Sequence, residues 1–232
     1  MTNIYDRLGV PTLINARGTA TRLSGSPLSE EVRAAMSEAA THCVDMALLQ
    51  SRASEIIAEL TGAEAGIVTS GAAAGLQLAA AACLAGLDPA KMDRLPDTQG
   101  MRNEIIVARS HRNGYDHALR AAGARLIEVG LPDRVNGTGV RDAETWHYEA
   151  AVTDRSCAML YVAHAGALQD VAALADVARR RGLSLIVDAA GQLPPMSNLR
   201  HFIAQGADLV VVSGGKFIGG PQASGLLYGR RD

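Results

Sequence analysis

The sequence has few aromatic residues, few cysteines and no excess of charge of either sign. Aromatic side chains make up 3% of the 232 residues, which favours packed helices over an aromatic-rich β-sandwich. The formal net charge is −2 and no block of like charges stands out, so we expect no nucleic-acid partner. Cys43, Cys83 and Cys157 have neither CxxC nor metal-ligand spacing. We therefore expect buried, reduced thiols and no metal site.

Long apolar runs are also lacking. No stretch reaches the length of a transmembrane helix, and the N-terminus has no basic and apolar regions typical of a signal peptide. We expect a cytoplasmic protein without a membrane partner. The apolar fraction of 48% is that of an ordinary packed domain rather than a disordered chain.

Short apolar runs alternate with longer helical patterns. The predicted strands cover residues 66–69, 104–108, 125–129, 157–163, 184–188, 209–213 and 224–228. The predicted helices cover residues 30–43, 48–61, 72–85, 115–122, 171–181 and 199–205. Several strands are apolar without alternation, which indicates burial on both faces. The pattern predicts an α/β fold of three layers, with a mainly parallel seven-stranded sheet and an irregular surface segment at 88–103.

Lys216 is the first candidate for chemistry. Only two of the 22 basic residues are lysines, and Lys216 follows a buried strand inside a glycine-rich turn, residues 213–222, with the sequence SGGKFIGGPQ. Flanking glycines allow a bulky ligand to approach the backbone, and a desolvated lysine is nucleophilic toward a carbonyl. The alternative is a lysine on a surface turn. A phosphate-binding P-loop is excluded because Phe217 follows the lysine.

Three other strand ends carry candidate residues. Asp188 ends a buried strand, where a carboxylate needs a cation or a hydrogen-bond donor, although it alternatively caps a helix. Residues 69–75 (TSGAAAG) join a strand directly to a helix, whose first N–H groups can bind a phosphate. His111 follows another strand and has a ring that can stack on a cofactor, although a histidine in a polar loop is often simply solvated. In an open α/β sheet, such strand ends meet at one edge.

These motifs resemble those of fold-type I enzymes that use pyridoxal 5'-phosphate (PLP), within the branch of bacterial selenocysteine synthase. Residues 213–222 resemble the lysine motif SGDKLLGGPQ. Residues 60–65 (LTGAEA) and 69–74 (TSGAAA) resemble LTGAE…NNNAAA, and residues 14–18 (INARG) resemble INATG. Residues 94–98, 100–104 and 111–117 are similar to segments of D-glucosaminate-6-phosphate ammonia-lyase-like proteins.

The resemblance implies a role for each candidate. Lys216 would form the Schiff base with PLP and move protons, Asp188 would bind the pyridine nitrogen, and His111 would lie on the ring face. The implied phosphate contacts are Ser70, Gly71, Ala72 and Ser213. The implied domains are an N-terminal arm, residues 1–25, and a PLP-binding large domain, residues 26–232, with the usual smaller C-terminal domain missing from the chain. Sites of this fold are usually completed by a second subunit, which implies a homodimer or a larger homo-oligomer.

The implied reaction is a lyase reaction that eliminates ammonia from a small amino acid, with phosphorylated sugar amino acids among the candidates, to give a 2-keto acid. Two departures from the transferase pattern argue against selenium transfer: Gly215 replaces an acidic residue, and Ser70 with Gly71 replaces an asparagine run. The chain also reaches its Asn15 motif almost at once, whereas selenocysteine synthases have an extra N-terminal region for tRNA.

Other activities and roles remain open from the sequence. The alternatives are a racemase, an aminotransferase, a seleniumtransferase-like enzyme, and a truncated PLP-fold domain without catalysis. His164 follows a strand and either touches the substrate or cofactor or bonds its own loop. Arg17 and Arg52 have guanidinium groups suited to carboxylate or phosphate, although surface ion pairs are their more common role.

Overall fold

A computed structural model describes residues 3–131, 142–165, 167 and 169–232. Each of the seven predicted strands is present in it. The strands are β1 (Ala65–Thr69), β2 (Glu104–Ala108), β3 (Arg125–Val129), β4 (Ser156–Val162), β5 (Ser184–Asp188), β6 (Leu209–Ser213) and β7 (Gly225–Gly229). The solid run Val210–Val212 is at most 2% exposed, which confirms that β6 is buried on both faces, whereas the outer strands β1 and β3 are partly exposed.

The strands form a single sheet in the order β1-β7-β6-β5-β4-β2-β3. Strands β6, β5, β4, β2 and β3 run parallel to one another, whereas β7 is antiparallel to both β1 and β6. The prediction of a mainly parallel seven-stranded sheet is therefore confirmed. The direction of β7 follows from the short connection after β6, because only antiparallel neighbours can be joined by a hairpin.

The α-helices of the described residues are α1 (Ile4–Arg7), α2 (Glu30–Ala39), α3 (Met46–Thr61), α4 (Ala72–Ala85), α5 (Pro89–Arg94), α6 (Asp116–Ala121), α7 (Thr145–Ala150), α8 (Val171–Arg180) and α9 (Asn198–Ala204). Cap residues set several of their ends. Asp45 and Asp170 accept hydrogen bonds from the first N–H groups of α3 and α8, and Gly62 ends α3 in the left-handed conformation.

Helices cover both faces of the sheet and give the predicted three layers. On one face, Leu76 of α4 and Leu119 of α6 belong to the same core as Ile105 and Val107 of β2. On the other, Leu174 of α8 belongs to a second core that also contains strand residues and members of α3, α7 and α9. Successive residues of a strand point to opposite faces, so each strand contributes to both cores.

Two expectations from the sequence are wrong. Residues 88–103 are not wholly irregular, because Asp88 caps α5 and Pro89 occupies its first turn, both of which favour a helix start. Thr98 and Met101 in the same segment are buried. Cys43 is exposed rather than buried, because α2 ends at Ala39 and leaves it outside the helix. Cys83 and Cys157 lie within the fold as expected.

The N-terminal part of the described chain packs little against the sheet. Helices α1 and α2 contain no buried residue, and Ile14 is 98% exposed. The division into an arm, residues 1–25, and a large domain, residues 26–232, stays a prediction. No helix among the described residues has the length and apolar character needed to cross a lipid bilayer.

Gly225, the first residue of β7, determines how closely α4 approaches the sheet. A Cβ atom built on Gly225 would lie 2.6 Å from the carbonyl carbon of Gly71 and 2.7 Å from the backbone nitrogen of Ala72. Because both neighbours are backbone atoms, they cannot rotate away. We expect Gly225→Ala to lower the free energy of unfolding by about 1–3 kcal/mol in urea titrations. Gly114→Ala is the control, since a Cβ there meets nothing within 4 Å; equal stability of the two variants would contradict the prediction.

Candidate active site

The register of the sheet brings three candidate turns to one edge. Thr69 of β1 pairs with Gly225 of β7, and Gly225 pairs with Ser213 of β6. Next to β6, Asp188 ends β5 opposite Val211. The residues that follow β1, β5 and β6 therefore emerge side by side, which confirms that the strand ends carrying the candidates meet at one edge.

The first turn joins β1 to α4. Gly71 has φ +137°, a value that side-chain-bearing residues rarely adopt, and Thr69 donates a hydrogen bond of 2.9 Å from Oγ1 to its carbonyl oxygen. Ala72 begins α4 directly, and no described side chain caps this end. The first N–H groups of a 14-residue helix are thus available to an anion, with the exposed Ser70 hydroxyl beside them.

Lys216 lies in the hairpin loop between β6 and β7. A Cβ atom on Gly214 would lie 2.3 Å from Ser224 Oγ, and one on Gly215 would lie 2.6 Å from Gln222 Cα. A hydrogen bond of 2.8 Å from Gly214 N–H to Ser224 O joins the two ends of the loop. Only glycine fits at these two positions, and the tight loop holds the half-buried lysine at the edge of the sheet.

Asp188 supplies a buried carboxylate close to this lysine. The residue is 7% exposed, and its Oδ1 accepts a hydrogen bond of 3.0 Å from Ala190 N–H. Burial raises the pKa of Asp188, while the Ala190 N–H and the charge of Lys216 partly oppose that rise. A Cβ built on Gly191 would lie 3.7 Å from Lys216 Nζ, so the amine reaches over the turn after β5.

His111 occupies a different setting from the other candidates. It ends a short 3-10 helix, Arg109–His111, is 2% exposed, and its Nδ1 accepts a hydrogen bond of 3.3 Å from Val162 N–H. Its ring meets Tyr161 edge to face at 5.1 Å between centroids and His164 at 5.3 Å. The imidazole is thus packed on the end of β4, and its assignment to a cofactor ring stays a prediction.

A cavity of about 200 Å³ lies among these turns. Its described lining consists of Thr21, Ser70, Gly71, Ala72, Ala73, Leu76, Tyr115, Asp188, Ala190, Ser213, Lys216, Gln222 and Ala223. Six of the seven predicted cofactor-site residues are in this lining, and His111 is not. Arg17 and Arg52 lie outside it, and Arg52 pairs with Glu55 on the surface of α3.

Sequence reasoning missed Tyr115 and Thr21. Tyr115 follows the loop of His111, and its aromatic side chain in a polar segment was an available signal. Thr21 precedes the first strand, so the rule that ligands bind at strand ends gives no reason to select it.

The residues present fit PLP. The uncapped start of α4 with Ser70 suits its phosphate, and the buried carboxylate of Asp188 suits a protonated pyridine nitrogen. The small side chain of Ala190 leaves space for a flat ring, and the Lys216 amine faces the same cavity.

Comparison with known proteins supports these assignments at the level of the family. A family model described as SelA, L-seryl-tRNA selenium transferase, matches residues 13–232. The chain is 38% identical to a 5'-C-glycyluridine monooxygenase-decarboxylase of Streptomyces sp, over 98% of this chain and 56% of that protein. It is 35% identical to the D-glucosaminate-6-phosphate ammonia lyase of Salmonella typhimurium, over 99% of this chain and 61% of that protein. An L-seryl-tRNA(Sec) selenium transferase of Geotalea daltonii is 31% identical, over 97% of this chain and 50% of that protein.

The solved structure of a D-glucosaminate-6-phosphate ammonia-lyase superposes with a TM-score of 0.89 at 34% identity. That superposition covers 99% of this chain and 61% of the other. The chain therefore spans between half and about three fifths of the length of these relatives. The resemblance inferred from the motifs, and the fold it implies, are confirmed.

The buried carboxylate of Asp188 yields a prediction about stability. Its pKa is raised in the folded chain, so the folded state binds a proton at higher pH than the unfolded state does. The contribution of Asp188 to the free energy of unfolding is therefore highest at low pH, where Asp188 is protonated in both states. It falls as the pH rises through the folded pKa. We expect Asp188→Asn to raise the urea midpoint of the PLP-free protein at pH 8 and to raise it less at pH 4, close to the ordinary aspartate pKa of 3.8.

The control is Asp93→Asn at an exposed position, which should change stability by less than about 0.5 kcal/mol at either pH. A lower midpoint for Asp188→Asn at pH 8 would contradict the prediction, because it would show that the charged carboxylate stabilises the folded chain even when PLP is absent.

Proposed function

The chain belongs to the L-seryl-tRNA selenium transferase (SelA) family, and we propose that it is a PLP-dependent lyase acting in the cytoplasm. Its substrate is a small 2-amino-3-hydroxy acid of the phosphorylated sugar acid type, and its products are ammonia and a 2-keto acid. The cofactor of this family is PLP. The observation that carries the proposal is the single cavity that brings together Lys216, Asp188 and the start of α4.

Each polar group of the cavity has a distinct task. The α4 N–H groups, Ser70 and Ser213 bind the phosphate and anchor the ring against rotation. The Asp188 carboxylate would accept a hydrogen bond from the protonated pyridine nitrogen, and PLP held in this protonated form would withdraw electrons from the α-carbon of the substrate. The burial of Asp188 strengthens this pairing, because few water molecules compete for the carboxylate.

Lys216 both holds the cofactor and moves protons. With the substrate amine in its place on PLP, the free Nζ would take the proton from the α-carbon. The β-hydroxyl would leave with a proton as water, which gives an enamine with a double bond between the α- and β-carbons. Lys216 Nζ would then release the enamine by taking back its place on the cofactor. Protonation of the enamine at its β-carbon gives an imine, and addition of water to that imine releases ammonia and the 2-keto acid. The similarity to the ammonia lyase supports this elimination.

The loop before Lys216 supports a small-molecule substrate rather than a charged tRNA. The transferase motif has an acidic residue where this chain has Gly215. The space for a side chain there is filled by Gln222, whose Cα and carbonyl oxygen both lie 2.6 Å from the Cβ position. An acidic side chain therefore requires a differently shaped loop.

A second candidate reaction is loss of carbon dioxide from an amino acid, with oxygen as co-substrate. It is favoured by the 38% identity to the monooxygenase-decarboxylase. Both reactions need the same electron withdrawal from the α-carbon, so the described site supports either. They differ in which bond to that carbon breaks.

We also propose that the protein acts as a homo-oligomer, joined by the outer face of α4. This helix has almost no polar residue on any side, a pattern typical of helices covered all round. Yet Leu78 is 44% exposed and Leu87, just after the helix, is 78% exposed. Apolar grooves of about 420 and 390 Å³ flank the helix. A second copy of the chain would bury this surface.

Covalent attachment of PLP tests the role of Lys216. We expect wild-type protein with PLP to show a visible absorbance band that borohydride traps permanently on the chain. Lys216→Ala should abolish the trapped product because it removes the attacking amine. Lys91→Ala, which removes the only other lysine, should leave it intact. Trapping that survives in Lys216→Ala would rule out the assignment.

Product analysis separates the two reactions. With D-glucosaminate 6-phosphate and PLP, we expect equal amounts of ammonia and 2-keto acid, without oxygen uptake. Oxygen consumption with release of carbon dioxide would favour the second candidate and contradict the lyase. Racemised or transaminated substrate would contradict both.

Sedimentation tests the oligomer. Leu78→Asp combined with Leu87→Asp should shift the protein toward a monomer, because each introduces a charge into an apolar contact. Trp146→Asp is the control, since Trp146 is exposed on α7 at the opposite face of the sheet. An unchanged sedimentation coefficient in the double variant would exclude α4 as the contact.

A further inference from the structure

The N-terminal loop, residues 15–25, forms part of the cavity wall through Thr21. A short 3-10 helix, Thr21–Leu23, is followed by two residues in the left-handed conformation, Ser24 and Gly25. Gly25 is buried and rests on the Lys216 loop: a Cβ there would lie 2.7 Å from Gly215 O and 3.3 Å from Gln222 Cγ. The N-terminal loop and the lysine loop are thus in direct backbone contact.

Asn15 holds this loop in its shape. Its Oδ1 accepts a hydrogen bond of 2.9 Å from Arg17 N–H, and its Nδ2 donates to Gly18 O at 2.7 Å and Gly25 O at 3.4 Å. The bond to Gly25 O connects the start of the loop to its end. A side chain that uses both its donor and its acceptor groups on one loop fixes the path of the backbone between them.

Thr21 is the residue of this loop that lines the cavity. It is exposed, whereas Asp188 at the base of the same cavity is 7% exposed. Thr21 therefore lies toward the opening, and its hydroxyl can donate to an entering molecule. The groups suited to the cofactor lie on α4, on β5 and on β6 with its following loop, whereas Thr21 lines the cavity from a separate segment and is not needed to hold the cofactor.

We infer that Thr21 is a substrate-binding residue, whose hydroxyl donates a hydrogen bond to an oxygen of the amino acid substrate, and that Asn15 is its positioning residue. This inference rests on the proposed function, because it places the substrate in the cavity of Lys216. Nothing in the motifs surrounding the strand ends assigns either role.

The test is a titration of PLP-loaded protein with D-serine, followed by the change in the visible band. We expect Thr21→Val, which keeps the shape and removes the hydroxyl, to raise the half-saturating concentration about tenfold. PLP content and the starting spectrum should not change. Thr21→Ser, which retains the hydroxyl, should stay within about twofold of wild type.

Asn15→Asp keeps the acceptor for Arg17 and loses both donor bonds, so it should also raise half-saturation. If Asn15 acts through Thr21, its effect should vanish in a Thr21→Val background. Additive effects of the two changes would exclude the positioning role. Equal half-saturation in Thr21→Val and wild type would overturn the role of Thr21.

Failure of the proposed reaction gives a different result. Wild-type protein that binds D-serine but releases no 2-keto acid from any amino acid tested would overturn the lyase reaction and still allow the Thr21 comparison. Wild-type protein without a PLP band would overturn both proposals.

Discussion

The site depends on keeping one carboxylate at the buried end of β5. In water an aspartate is charged at little cost, but at 7% exposure Asp188 relies on the Ala190 N–H and the nearby lysine charge to compensate for lost hydration. The carboxylate faces a cavity, where the ring nitrogen of the proposed cofactor would complete the pairing. Stability of the empty chain and binding of the cofactor are therefore opposed at this residue.

The rest of the sheet edge is arranged around close backbone approaches. At Gly71, Gly215 and Gly225 a side chain is excluded by conformation or by a neighbouring backbone, and at Gly214 it would meet Ser224. They allow the start of α4, the hairpin loop and the first residue of β7 to converge on one small volume. Distances between functional groups are thus set by main-chain contacts, which are stiffer than contacts between side chains.

The sequence predicts the strands well because their apolar runs are short, unbroken and bounded by turn residues, as in 209–213. It also predicts that Lys216, Asp188 and the turn at Ser70 meet at one edge of the sheet, because each follows a strand. It does not predict Thr21, since that residue reaches the cavity through a loop whose path depends on Asn15 and on contact with Gly215. Nor does it predict the exposure of Cys43, because a helical pattern alone does not locate the end of α2.

The position of Lys216 between antiparallel neighbours has a consequence for how this family diversifies. The other polar turns belong to crossover connections, where a change in length shifts an entire helix and the strand beyond it. The lysine loop joins adjacent strands, so side chains among residues 217–223 can change while the sheet order stays the same. Such changes alter the surroundings of the lysine without moving the helices and strands that form the rest of the cavity.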